Sequence, residues 1–190
     1  MLFTFSEIIY FLVLVASIGY IFTGYIRKPT SAIYHPFSFK KYSFNFQDFL
    51  FSIIIVAPAI VLHELAHKFT AMAFGLTANF FIFWQGLGLA VLLKLIHSPL
   101  LIIAPGYILI SGQATIQQNI LISFSGPFIN LVLFLISGFI LTHATKLTRT
   151  QAIAVYLTKQ INLFLFIFNM LPIPPLDGSK VFSGLFQLIF

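Results

Sequence analysis

His63 and His67 stand four residues apart in a chain of 190, with Glu64 directly after the first: His63-Glu64-Leu65-Ala66-His67. On a helix of about 3.6 residues per turn this spacing puts both imidazoles on one face, about 40° apart around the axis. Two such rings can grip one zinc ion at about 2.0–2.1 Å. Glu64, about 100° further round, is then placed to take a proton from an attacking water instead of binding the metal. Zinc brings the pKa of such a water toward about 7. The chemistry indicated is attack of an activated water on a carbonyl. The setting is unusual, because residues 53–62 and 69–74 contain no charged residue at all.

A zinc site needs a third protein ligand. The chain has no cysteine, which leaves Asp177, His35, His97 and His143. Asp177 is the best placed, because it follows the helix-breaking segment Pro172-Ile173-Pro174-Pro175 and precedes Gly178. Such a break lets a carboxylate turn toward a bundle interior. The plainer alternatives are that Asp177 caps the last helix and that the two histidines bond only to each other or to backbone. In lipid, two imidazoles and an unpaired Glu64 would then cost several kcal/mol without compensation.

The elements that position these residues are set by composition. The chain is 59% hydrophobic with a mean hydropathy of +1.03, whereas soluble domains average about 45–50% apolar. It reads as one integral membrane domain over residues 1–190, its first apolar run a retained span and not a signal peptide. The net charge of +6 comes from Lys and Arg scattered singly or in pairs between apolar runs. That pattern suits lipid headgroups and excludes a nucleic-acid surface. Only four acids are present: Glu7, Asp48, Glu64 and Asp177. Glu7 and Asp48 each open an apolar run, where a carboxylate suits a helix N-terminus. Glu64 and Asp177 are left as the acids within or beside apolar surroundings, where an ionisable group marks function.

The fold class expected is an all-α multi-pass bundle with a small membrane-associated β or re-entrant element. Spans are expected at 8–26, 48–74, 116–141 and 152–171, with a short terminal helix at 179–190. Pro58 should kink the second span. Residues 79–110, broken by Gly86, Gly88, Pro99, Pro105 and Gly106, read as re-entrant, with strands near Phe80–Trp84 and Tyr107–Ile110. His63 lies 15 residues beyond Asp48, about 22 Å along a helix, and so near the membrane face that holds the re-entrant segment.

Three segments together resemble the site-2 protease family of intramembrane zinc metalloproteases. They are His63-Glu64-Leu65-Ala66-His67, then Ser125-Gly126-Pro127-Phe128-Ile129-Asn130, then the run from Asn169 through Pro172 to Leu176-Asp177-Gly178. The last fits the family pattern N-x-x-P-x-x-x-L-D-G at every fixed position. The resemblance implies one Zn2+ held by His63, His67 and Asp177, with Glu64 as catalytic base. It implies support from Asn169, which would line the site, and more weakly from Asn130, for which interhelical hydrogen bonding is the alternative. It also implies regulated cleavage in or near a transmembrane segment of a partner protein in the cell membrane. Neither a PDZ module nor a CBS pair is recognised. The family orientation, with the metal nearer the cytosol, would put Arg27, Lys28, Lys40 and Lys41 outside, against the positive-inside tendency. The competing function is a membrane metal-ion transporter or metal-binding scaffold using the same ligands.

Overall fold

The computed structural model describes residues 2–29, 44–96, 98 and 106–190. In chain order the elements are α1 (Phe5–Phe22), α2 (Phe46–Ala73), β1 (Thr77–Ile82), α3 (Trp84–Leu95), β2 (Gly106–Ser111), α4 (Ile116–His143), α5 (Arg149–Asn169) and α6 (Asp177–Ile189). Helices α1, α2, α4 and α5 are long and apolar enough to cross a membrane. The 28 residues of α2 and of α4 reach about 42 Å at 1.5 Å per residue. This exceeds the roughly 30 Å hydrocarbon layer, so both must tilt or protrude.

The helix starts are set by side chains that satisfy the first free N–H groups. Thr4 with Glu7, Thr115 with Gln118, and Thr148 with Gln151 form reciprocal capping boxes on α1, α4 and α5. Asn45 accepts from the N–H groups of Gln47 and Asp48 to open α2. Each such cap is worth about 0.5–2 kcal/mol. Pro58 and Pro127 lie inside helices that run on without a break. Helix α4 is central and packs against α2, α5 and α6. Between α1 and α2, Leu14, Ile18 and Ile21 meet Phe51, Ile55 and Val56 in a fully apolar core.

After α2 the chain reverses at Gly75, whose φ of 76° favours glycine. It then enters β1, which pairs antiparallel with β2 in a register running from Thr77 opposite Ser111 to Ile82 opposite Gly106. The helical bundle with a small two-stranded element is the architecture expected, and the corrections are local. The first strand lies at Thr77–Ile82, and Trp84, placed in it from its aromatic neighbours, instead opens α3. Gly86 and Gly88, read as chain breakers, sit within that 12-residue helix. The first span starts at Phe5 and ends at Phe22, where the expectation was 8–26. Glu7 caps α1 as expected but is also buried, 2% exposed, so it joins the acids in apolar surroundings. His35 and His97 lie outside the described residues.

Candidate metal centre

Helix α2 carries His63, Glu64 and His67 into the bundle, each 8% exposed. Asp177, 114 positions beyond His63, arrives on the first turn of α6. The Nε2 atoms of His63 and His67 are 3.1 Å apart, and Asp177 Oδ2 lies 3.1 Å from the first and 3.3 Å from the second. Among the described residues this is the only grouping of three such side chains able to hold a metal.

Hydrogen bonds on the far side of each ring decide what those three atoms are. His67 Nδ1 lies 2.7 Å from the carbonyl oxygen of Ile122. A carbonyl only accepts, so Nδ1 donates and Nε2 keeps its lone pair in the neutral ring. His63 Nδ1 is 2.7 Å from Asn130 Oδ1. The amide of Asn130 is locked in that orientation, because its Nδ2 donates to Ala59 O at 3.0 Å and to Asn162 Oδ1 at 2.9 Å. Asn162 is locked in turn by donating to Thr158 O at 2.8 Å. His63 therefore also turns a lone pair inward.

With both rings neutral, two imidazole lone pairs and a carboxylate oxygen thus converge with no hydrogen between them. Without a cation such a cluster is self-repelling, and with one it is satisfied. Ligand atoms at about 2.0–2.1 Å on three corners of a tetrahedron stand roughly 3.3–3.4 Å apart, close to the edges seen here. Two nitrogens and one oxygen without a thiolate form a donor set that suits zinc. Asp177 lies on α6, beyond the four spans, and supplies the one carboxylate oxygen of the three donor atoms. A site of two neutral rings and one negative charge draws a divalent cation.

The backbone makes room for this arrangement. A Cβ built on Gly126 would lie 2.3 Å from His67 Nε2 and 2.7 Å from His63 Cε1, so only glycine lets α4 approach the rings. Glu64 lies within electrostatic reach of His63, Asp177 and Lys180, and no hydrogen bond to it occurs among the described residues. Between α4 and α6, Ile116, Asn119, Lys180, Ser183, Gly184 and Gln187 line an open cavity of about 210 Å³.

The other candidates fall differently. Asn130 is fully buried against His63. Asn169 turns back on its own helix, donating to Leu165 O at 3.0 Å. His143 is exposed at the end of α4, stacked on Phe139 and away from the rings. Asp177 is the first residue of α6 and does not cap it; the cap is Leu176, which makes no side-chain bond. Asn162 and the Ile122 carbonyl were not singled out from sequence, and Gly126 was read only as a packing residue. For Asn162 the available signal was an isolated amide in an apolar span.

Comparison with known proteins agrees with this geometry. Residues 136–190 match the model of Peptidase family M50. A Methanocaldococcus jannaschii protein, a zinc metalloprotease by name alone, is 34% identical over 146 residues, covering 76% of this chain and 75% of the relative. The chain belongs to peptidase family M50. A Bacillus subtilis protein named in the same way is 28% identical over 176 residues, covering 80% of the M50 chain and 73% of its own. No solved structure matches. The M50 family is the site-2 protease family, so the chain is a membrane protein of a metalloprotease family. The matched segment holds Asp177, and the histidines lie upstream of it.

Proposed function

We propose that this M50 protein is an intramembrane zinc endopeptidase that hydrolyses a peptide bond in or near a transmembrane segment of a partner protein in the cell membrane, and that residues 1–190 act as one catalytic unit. The observation that carries this reading is the triangle of three hydrogen-free donor atoms beside the buried Glu64. In this reading His63, His67 and Asp177 hold the ion, and Asn130 holds the His63 ring. When bound, the ion supplies Lewis acidity, which acidifies a water and polarises the scissile carbonyl. Glu64 accepts the proton of that water as its oxygen bonds to the carbonyl carbon. Glu64 then passes the proton to the peptide nitrogen as the C–N bond breaks, which leaves a new carboxylate and a new amine. A helical peptide bond is shielded and its carbonyl engaged, so the substrate segment must first be extended. The β1–β2 sheet beside α2 offers a strand edge for that purpose.

The competing transporter reading needs polar groups that are free to mark an ion path. Here Lys68 is tied to Glu7, and Asn130 and Asn162 are tied to His63 and to each other. To test the proposal, the purified protein is incubated with a membrane-spanning substrate, with and without a chelator. A new substrate terminus that disappears with chelator and returns with Zn2+ is expected; a terminus produced equally in both would overturn it. Asn130→Ala should weaken metal affinity by about 10–100-fold, as measured by competition against a chromophoric chelator. An unchanged affinity would show that the Nδ1 contact does not hold the ring.

A further inference from the structure

Glu7 and Lys68 are the most deeply buried charges among the described residues, at 2% and 1% exposed, and the proposed chemistry uses neither. Lys68 Nζ lies 2.6 Å from Glu7 Oε1 and also donates to Ala78 O at 2.6 Å. Glu7 Oε1 accepts from Phe80 N–H at 2.7 Å, and Glu7 Oε2 accepts from Thr4 N–H at 2.9 Å. Burying such a pair is expensive, and well-packed apolar residues would often be as stable. Its retention in an apolar setting therefore points to a role beyond stability.

Parity along the strand shows what the pair does. In an antiparallel strand the N–H and C=O of one residue point to the same side, and the side alternates from residue to residue. Ala78 and Phe80 give their polar groups to Lys68 and Glu7, so they face away from β2, while Thr77, Asn79 and Phe81 face toward it. By the observed register, Tyr107, Leu109 and Ser111 of β2 face β1. Gly106, Ile108 and Ile110 then point their N–H and C=O groups to the opposite edge, where no backbone partner occurs among the described residues. The side chains of Ile108 and Ile110 pack beside Ala71 and Ile122, and the Ile122 carbonyl is the one that accepts from His67.

We infer that the Glu7–Lys68 pair is a positioning device: it closes the outer edge of β1 and ties the sheet to the metal-bearing helix, so that an extended substrate segment adds to the β2 edge alone, in one register. The inference deepens the proposed function and rests on it. An open second edge, or a sheet free to shift, would let the substrate pair in more than one frame, because strand register slips wherever it is weakly specified. The pair thus sets which peptide bond reaches Glu64.

The test uses the full chain with one membrane-spanning substrate, and reads KM, kcat, zinc content and the cleaved bonds by mass spectrometry. Glu7→Leu removes the acceptor of Phe80 N–H and of Lys68. It should raise KM by about tenfold, the worth of one or two backbone hydrogen bonds, and cut at two or more bonds where the native protein cuts one, with zinc retained. Glu7→Gln keeps an acceptor and should restore single-bond cleavage. Ile108→Pro deletes an outward N–H of β2 and should raise KM without altering the cleaved bond. If Ile108→Pro leaves KM unchanged, strand addition on β2 is wrong. If it raises KM while Glu7→Leu keeps native KM and one cleaved bond, the inference about the pair is overturned and strand addition stands. Should Glu7→Leu lose zinc through misfolding, the neutral double variant Glu7→Gln/Lys68→Met frees Ala78 O alone. In it, a second cleaved bond supports the inference, and a single native one overturns it.

Discussion

Glu64→Gln is expected to lower cleavage by roughly a thousandfold, within the range for loss of a general acid–base, while zinc content stays at one ion per chain. Glutamine matches the shape of the glutamate and still fills the buried position beside His63, so the ring geometry has no reason to change. It cannot accept and return a proton. In the proposed site the metal is held by three other side chains, and each His Nδ1 bond lies elsewhere, on Ile122 and Asn130. Metal analysis and single-turnover cleavage on the same preparation separate the two effects. Full activity with zinc bound would refute the assignment of Glu64; loss of zinc would show that the carboxylate is a ligand.

Gly126→Ala is expected to cost the metal itself. The added methyl would sit 2.3 Å from His67 Nε2, 2.6 Å from its Cε1 and 2.7 Å from His63 Cε1, all well inside contact distance. Two effects oppose each other. Alanine favours a helix over glycine by about 1 kcal/mol, which stabilises α4. Overpacking typically costs about 1–3 kcal/mol, and here little can give way, since both rings are pinned by 2.7 Å hydrogen bonds. The clash falls on the site and the gain falls on the helix. The variant should therefore be at least as helical by circular dichroism, yet bind zinc about 5–150-fold more weakly, the same range expressed as affinity. Gly88→Ala provides the control, because nothing lies within 4 Å of a Cβ there. Equal zinc affinity in the two variants would mean that the rings move aside freely.

The residues with fixed local spacing were legible in the sequence. Four-residue spacing placed His63 and His67 on one face, and the proline segment before Asp177 pointed to a turn inward. The helical bundle was equally readable, because long apolar runs in lipid have little choice but to form helices. What escaped notice depends on contacts between distant segments. Glu7 and Lys68 are 61 positions apart, and nothing local pairs them; Glu7 read as an acid suited to a helix N-terminus, and Lys68 carried no reading of its own. Trp84 was drawn into the first strand by its aromatic neighbours, although the chain leaves β1 at Ile82 and opens a helix through two glycines that tertiary packing tolerates. Asn130 was weighed between site and interhelical bonding, and the structure gives it contacts of both kinds. Gly126 was read as a packing residue. It is one, and what it packs against is the pair of histidines.

The ligand triangle joins the second helix of the bundle to the last across 114 positions. An ion seated there is a fastener as well as a reagent. Cross-linking a loop of about that length is worth about 4–5 kcal/mol in the chain-entropy account. Stripping the ion would therefore silence the chemistry and unlatch the closing helix in the same event, so catalytic competence and bundle closure rise and fall together.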